Sequence, residues 1–183
     1  MSQRGYIFRK GGAWYLRYRD DILGPDGTPK RLQFCRKLAD YDSIRFRSKA
    51  QVKPLADEIL APLNNGRVRP ESTMVVEQFV RGRYFPDAKQ VMRPSTYKNA
   101  YNLWKKHLAH RLTGIRLRDF RTADGERLLA DIARQTDLSH SSLLHIKALL
   151  SGAFKHARRL GILDSQNPMQ DVSIPKGKQT PET

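Results

Sequence analysis

The chain is expected to fold as an α+β N-terminal domain, a three-stranded antiparallel sheet plus one helix, followed by an all-α domain of four to five helices. Three observations predict this. Apolar and polar residues alternate with period two across residues 14–20. Tyr97, Tyr101, Trp104 and Leu108 recur at steps of four, three and four, one face of a 3.6-residue helix. Between these patterns, residues 64–73 (NNGRVRPEST) have the composition of a linker.

Taken in order, residues 5–9 read as a first strand and Lys10-Gly11-Gly12 as its turn. Trp14 to Asp20 is the second strand, with Trp14, Leu16 and Tyr18 on one face and Tyr15, Arg17 and Arg19 on the other. Gly24-Pro25-Asp26-Gly27 is a turn signal. Lys30 to Leu38 makes the third strand, with Leu32 and Phe34 facing one way and Arg31 and Gln33 the other. Ser48 caps a helix to about Asn65, ended by Asn65-Gly66; Pro54 and Pro62 predict a kink or an earlier end.

Beyond the linker, Ser72 or Thr73 caps a helix from Met74 to about Phe85, with Val75, Val76, Phe79 and Val80 as its apolar stripe. Pro94 suits the first turn of the next; its polar side carries Ser95, Lys98, Asn102 and Lys105. Thr122 caps a third, with Asp124 in its first turn and Leu128, Leu129 and Ile132 on its core face. Ser139 caps the last, whose core face is Leu143, Ile146, Leu150, Phe154 and Ala157. Its other face, Ser141, His145, Ala148, Gly152, Lys155 and Arg159, either packs its small middle on a neighbour or lies close to a DNA backbone. The expected boundaries are 1–66 for the sheet domain, 67–73 for the linker and 74–170 for the helices. Residues 171–183 read as a disordered tail or the start of an interdomain linker.

Charge points to the partner. The chain of 183 residues has 34 Lys plus Arg against 18 Asp plus Glu, a net +16 and a pI near 10.3. Residues 1–70 carry 15 basic against 7 acidic groups and residues 71–183 carry 19 against 11, so each part is +8. A polyanion facing both parts is the natural inference. No apolar run suits a membrane span or secretory signal, and basic residues are not gathered beside an apolar helix face. Cys35 is alone, which excludes disulfide staples and Cys-based metal sites and predicts a small buried thiol in a cytoplasmic protein.

No catalytic, cofactor or metal site is expected. Glycine-rich phosphate cradles are missing. His140 and His145 are five apart and have no nearby carboxylate in sequence, while His107, His110 and His156 read as surface or DNA-proximal. Asp20, Asp21, Asp40 and Asp42 read as turn-forming residues in loops.

Several segments resemble one family. Arg93-Pro94-Ser95-Thr96-Tyr97, Tyr101, His107-Leu108, Ile115 to Phe120, Leu138-Ser139 and Ala157 to Leu163 resemble, in order and spacing, the core-binding domain of phage-type tyrosine recombinases (integrases). Asn167-Pro168 and Val172-Ser173-Ile174-Pro175 resemble that family's exit toward its catalytic domain. Ser151 departs from the family, which often has a basic residue there. Gly5 to Phe8 with Gly12 to Tyr15 resembles the family's arm-type DNA-binding domain.

The resemblance implies a SAM-like helical fold and sequence-specific binding of double-stranded DNA at attachment sites during integration and recombination, with other recombinase protomers on the DNA. It implies no enzyme in this chain, since the catalytic domain is missing, and no cofactor, small-molecule substrate or membrane. The sheet residues implied to face DNA are Tyr15, Arg17, Arg19, Arg31 and Gln33. On the helices they are Arg93, Ser95, Lys98, Asn102, Lys105, Ser139, His140, Ser141, His145, Lys155 and Arg159, with Asn102, Ser141 and His145 nearest base edges. The alternatives are a stand-alone DNA-binding regulator, a catalytically dead integrase remnant, or an RNA-binding module. The strands lack the aromatic signature of the common RNA-recognition sheet.

Overall fold

The computed structural model describes residues 3–24, 26–64 and 69–175. The chain is α+β and divides into two compact units, Met1–Glu71 and Ser72–Thr183. No helix among the described residues is long and apolar enough to cross a membrane.

In the first unit, β1 (Tyr6–Lys10), β2 (Ala13–Leu23) and β3 (Pro29–Asp40) form an antiparallel sheet in the order β1-β2-β3. Register pairs Tyr6 with Arg17 and Phe8 with Tyr15, then Arg17 with Cys35 and Arg19 with Gln33. Residues opposite each other in a ladder point to the same side, and sides alternate along a strand. Leu16 therefore faces α1 (Lys49–Asn64), whose Val52, Ala56 and Leu60 are buried, while Arg17 and Arg19 are exposed on the other side.

Three expectations for this unit are corrected. The helix α1 continues through Pro54 and Pro62 as far as Asn64, so the earlier end does not occur. Each proline removes one backbone bond, and burial of the Val52-Ala56-Leu60 face against the sheet offsets the loss. Cys35 is exposed rather than buried, because its register opposite Arg17 puts it on the uncovered face. Asp20 and Asp21 lie in β2 rather than in a loop, and Asp20 is buried. Asp42 is turn-forming, its Oδ1 accepting from the Ile44 N–H at 2.7 Å. At the start of α1, the Gln51 side-chain oxygen accepts from the Arg47 and Ser48 N–H groups at 2.8 and 3.0 Å. The Asn65-Gly66 stop and Arg67 lie outside the described residues.

The second unit is helical. The helix α2 combines α-helical Val76–Phe79, a π-helical turn Val80–Tyr84 and α-helical Phe85–Val91. Similarly, α3 combines Pro94–Leu103, a π turn Trp104–Leu108 and a 3-10 turn Ala109–Arg111. Two longer α-helices follow, α4 (Thr122–Gln135) and α5 (His140–Arg159). Core residues come from all four, among them Phe79, Leu108, Ile132, Leu143, Ile146 and Phe154. Short backbone bonds, Val76 N–H to Ile115 O at 2.8 Å and Leu117 N–H to Met74 O at 2.9 Å, stitch the start of α2 to the segment before α4.

The helix starts differ from expectation at two places. Val75, not Ser72 or Thr73, is the N-cap of α2, and both hydroxyl residues are buried in the preceding 3-10 turn, Pro70–Thr73. The helix also continues past Phe85 to Val91. Arg121, not Thr122, precedes α4, and the Asp124 carboxylate accepts its N–H at 2.9 Å. Ser139 does cap α5, accepting the Ser142 N–H at 3.3 Å. The far end of α5 closes on Gly161 (φ 68°), with Gly161 N–H to Arg158 O at 2.9 Å and Ile162 N–H to Ala157 O at 3.0 Å, a Schellman arrangement.

The π turns alter the periodic reading. Tyr101 of the expected stripe is 40% exposed, while His107 is buried beside Trp104 and Leu108, not at the surface. His156 is buried too, 2.9 Å from an Asp87 oxygen through Nε2, with Arg159 2.9 Å from its Nδ1. The segment after Pro168 is also not a free tail as far as it is described. Met169 and Val172 are buried in the core, Ile174 packs against it, and Lys147 Nζ donates to the Val172 carbonyl at 2.7 Å. Residues 176–183 lie outside the described residues.

Candidate nucleic-acid interface

Charge is segregated along the helical unit. Residues 88–118, which contain α3, hold Lys89, Arg93, Lys98, Lys105, Lys106, Arg111, Arg116 and Arg118 and no Asp or Glu. Residues 138–163, which contain α5, hold Lys147, Lys155, Arg158 and Arg159 and again no carboxylate. The acids lie elsewhere: on α4, Asp124 pairs with Arg127 at 2.6 Å and Asp131 pairs with Arg134. On α2, Glu77 lies 3.6 Å from Arg81.

Between α3 and α5 runs a cleft of about 540 Å³, lined by Thr96, Asn99, Asn102 and Leu103 from one helix and Ser142 and His145 from the other. It joins two of the anticipated residues, Asn102 and His145. On α3, Ser95, Lys98 and Lys105 are exposed, as are Arg93 just before it and His140 and Ser141 at the start of α5. Among the described residues, neither Lys98 nor Lys105 is in an ion pair. An unpaired exposed cation keeps its charge available to a phosphate at little desolvation cost. Thr96, Asn99 and Ser142 were missed from the sequence. The Thr96-Asn99-Asn102 spacing of three signalled a second polar row. For Ser142, the signal was its position three after the capping Ser139.

The stripe on α5 does not form one continuous surface. A methyl on Gly152 would come within 2.9 Å of the Tyr84 hydroxyl, so Gly152 packs on α2, while Ala148 is exposed. Lys155 and Arg159 border a separate cleft with Asp87, Val91 and Met92 of α2 and its exit. Arg159 is partly committed to His156. The anticipated α5 residues thus fall into two groups, at opposite ends of a helix about 30 Å long.

His107 lies among core residues beside Trp104 and Leu108. Burial holds its pKa below the ordinary 6.5, and the nearby Lys106, Arg111 and His110 add to the depression. Its ring is neutral near pH 7 and serves the core, not DNA.

In the sheet unit, the five anticipated residues share the face that α1 leaves bare. Arg17, Arg19, Arg31 and Gln33 are exposed and Tyr15 is half-buried. Arg31 lies 3.9 Å from Asp21 across the strands, both well exposed. Tyr6, Phe8 and Lys37 share this face by register, and the sequence reading overlooked them. Their clue was the Tyr6-Phe8 alternation in β1. Beyond Tyr6, β2 and β3 continue as a two-stranded ribbon through Arg19/Gln33 and Asp21/Arg31, with the Gln3 side chain bonded to the Arg19 backbone on one edge.

Comparison with models of protein families, with curated proteins and with solved structures gave no match.

Proposed function

We propose that this chain is the DNA-binding part of a phage-type tyrosine recombinase, with an arm-binding sheet unit and a SAM-like core-binding helical unit. Its role is sequence-specific binding of duplex DNA at attachment sites, without cutting it. The observation that carries the reading is the cleft where two carboxylate-free helices bring Asn102 and His145 together, with unpaired Lys98 and Lys105 exposed on α3. Lysines there suit phosphates and fix register, while amide, hydroxyl and imidazole groups suit base edges. The two-stranded ribbon carrying Arg19, Arg31 and Gln33 has a shape the major groove admits. Net charge of +8 on each part supports a polyanion for both.

The test is binding of the full chain to labelled duplexes tiled across a candidate attachment site, at several salt concentrations, against scrambled duplexes. The expected result is salt-sensitive binding that prefers some tiles, with two tile types separable. Equal weak binding to every tile would reduce the protein to a generic polyanion binder and defeat the proposal.

A further inference from the structure

The bare sheet face has two unlike halves. The ribbon end carries Arg19, Gln33, Asp21 and Arg31. The three-stranded end carries a row of rings: Tyr6 stacks on Phe8 with centroids 5.8 Å apart and planes 17° apart, and Phe8 stacks on Tyr15 at 5.7 Å and 24°. Tyr6, at the end of the row, is 57% exposed. The core of this unit is on the opposite side, against α1, so folding does not require three aromatics here.

Cations attend the row. The Arg17 guanidinium lies 5.2 Å from the Phe8 ring centre and Lys49 Nζ lies 5.5 Å from that of Tyr6. Lys37 is opposite Tyr15 in the ladder. A row of stacked rings ending in one open face, flanked by positive charge, suits a ligand made of planar rings joined by phosphates. Duplex DNA hides its ring faces in the stack; an unpaired strand offers them.

We propose that the open face of Tyr6, backed by Phe8 and Tyr15, is a platform that stacks an unpaired base of single-stranded DNA, with Arg17 and Lys49 as phosphate contacts. The choice of DNA over RNA rests on the reading of the chain as a DNA-binding protein. An unpaired base would continue the row on the open side of Tyr6, and Lys49 would exchange its ring contact for a phosphate. Tyr15 and Arg17 are shared with the residues assigned to duplex and Tyr6 borders Arg19 and Gln33, but Tyr6 itself is outside that set, so it is the position at which the two functions are told apart.

The experiment is fluorescence anisotropy of the full chain with three probes of equal length: a 12-nucleotide oligo-dT, an abasic strand with the same phosphates, and a 12-base-pair duplex. Oligo-dT should bind at least about tenfold more tightly than the abasic strand, because each stacked base adds substantially to affinity. Tyr6→Ala should weaken oligo-dT binding about fivefold or more and leave duplex binding and the melting temperature unchanged, while Tyr6→Trp should retain it. Equal binding of oligo-dT and abasic strand, or an unchanged oligo-dT affinity in Tyr6→Ala, would overturn the platform. Tighter binding of oligo-rU than oligo-dT would overturn the choice of DNA. Loss of duplex binding alone, with the oligo-dT results as expected, would sink the duplex reading and support the platform.

Discussion

Asn167 clamps Ser151: its side-chain amide donates to the Ser151 hydroxyl at 2.9 Å and to the Ser151 carbonyl at 3.1 Å. Its own oxygen accepts the Met169 N–H at 3.0 Å. These bonds hold residues 167–169 onto α5. Asn167→Ala should cost about 1–3 kcal/mol, since it leaves buried polar groups unpaired. Ser151→Ala should cost about 1 kcal/mol or less, because the carbonyl bond remains. Urea denaturation of both variants checks the order; equal stability in Asn167→Ala would show that the clamp is incidental.

Lys98 and Lys105 should act on DNA as point charges. The double variant Lys98→Ala/Lys105→Ala should weaken all duplexes about equally and reduce the slope of log K against log salt by up to about two. Asn102→Ala should instead narrow the gap between preferred and scrambled duplexes with little change in the slope. Titrations at four or more salt concentrations separate the two effects.

Two glycines of the helical unit should respond oppositely to alanine. A methyl on Gly125 would meet Met169 Sδ and Val172 Cγ2 at 2.8 Å, and both residues are buried. Overpacking of this kind costs about 1–3 kcal/mol, more than the helix-propensity gain of about 1 kcal/mol. Gly82 has nothing within 4 Å of that position, so Gly82→Ala should stabilise by up to about 1 kcal/mol. Thermal melts of the two variants should move in opposite directions.

Acid should loosen the helical unit through His107. Its folded pKa lies below 6.5, so the unfolded chain binds the proton more readily. The stabilisation from the neutral ring is complete above pH 6.5 and is lost as pH falls through the interval down to the folded value. The melting temperature should therefore drop between pH 7.5 and 5.5. In His107→Gln that drop should shrink, even if the variant is less stable throughout.

Cys35 gives a direct probe of the sheet face. Its exposed thiol, opposite Arg17, should react with a maleimide in the native protein. Bound DNA should slow the reaction, and a bulky adduct should reduce DNA binding through this face. Labelling unaffected by DNA would place the ligand elsewhere.

Much of this was legible in the sequence where one periodicity governs one element. The alternation from Trp14 to Arg19 separates the two faces of β2, and Leu143 to Ala157 lays out the core side of α5. The misses have physical causes. A π turn changes the phase of the helix, which no 3.6-residue count anticipates, so Tyr101 and His107 exchange their expected environments. Prolines argue against a helix, but α1 has enough apolar burial to keep its course. Cys35 follows the Arg31-Gln33 alternation onto the bare face, which the general preference of a free thiol for burial obscured. At the cleft, α3 and α5 supply recognisable polar residues, but that Asn102 and His145 meet across it is a tertiary fact.

The π turns at Val80–Tyr84 and Trp104–Leu108 also bear on how this chain tolerates change in length. A π turn is a helix with one residue to spare. Removing one residue there lets the backbone fall back into ordinary α geometry without breaking the rod, and because the wide turn and the ordinary one sweep nearly the same angle, the rods on either side keep their relative orientation. In α3 the rods on either side of that spare residue have different duties. The earlier part presents Asn102 and Lys98; the later part anchors Leu108 and Leu112 in the core. The surplus residue shifts the sequence count by one between the polar face and the core anchor while leaving both in place, so its loss should be tolerated where a deletion elsewhere in the helix would not.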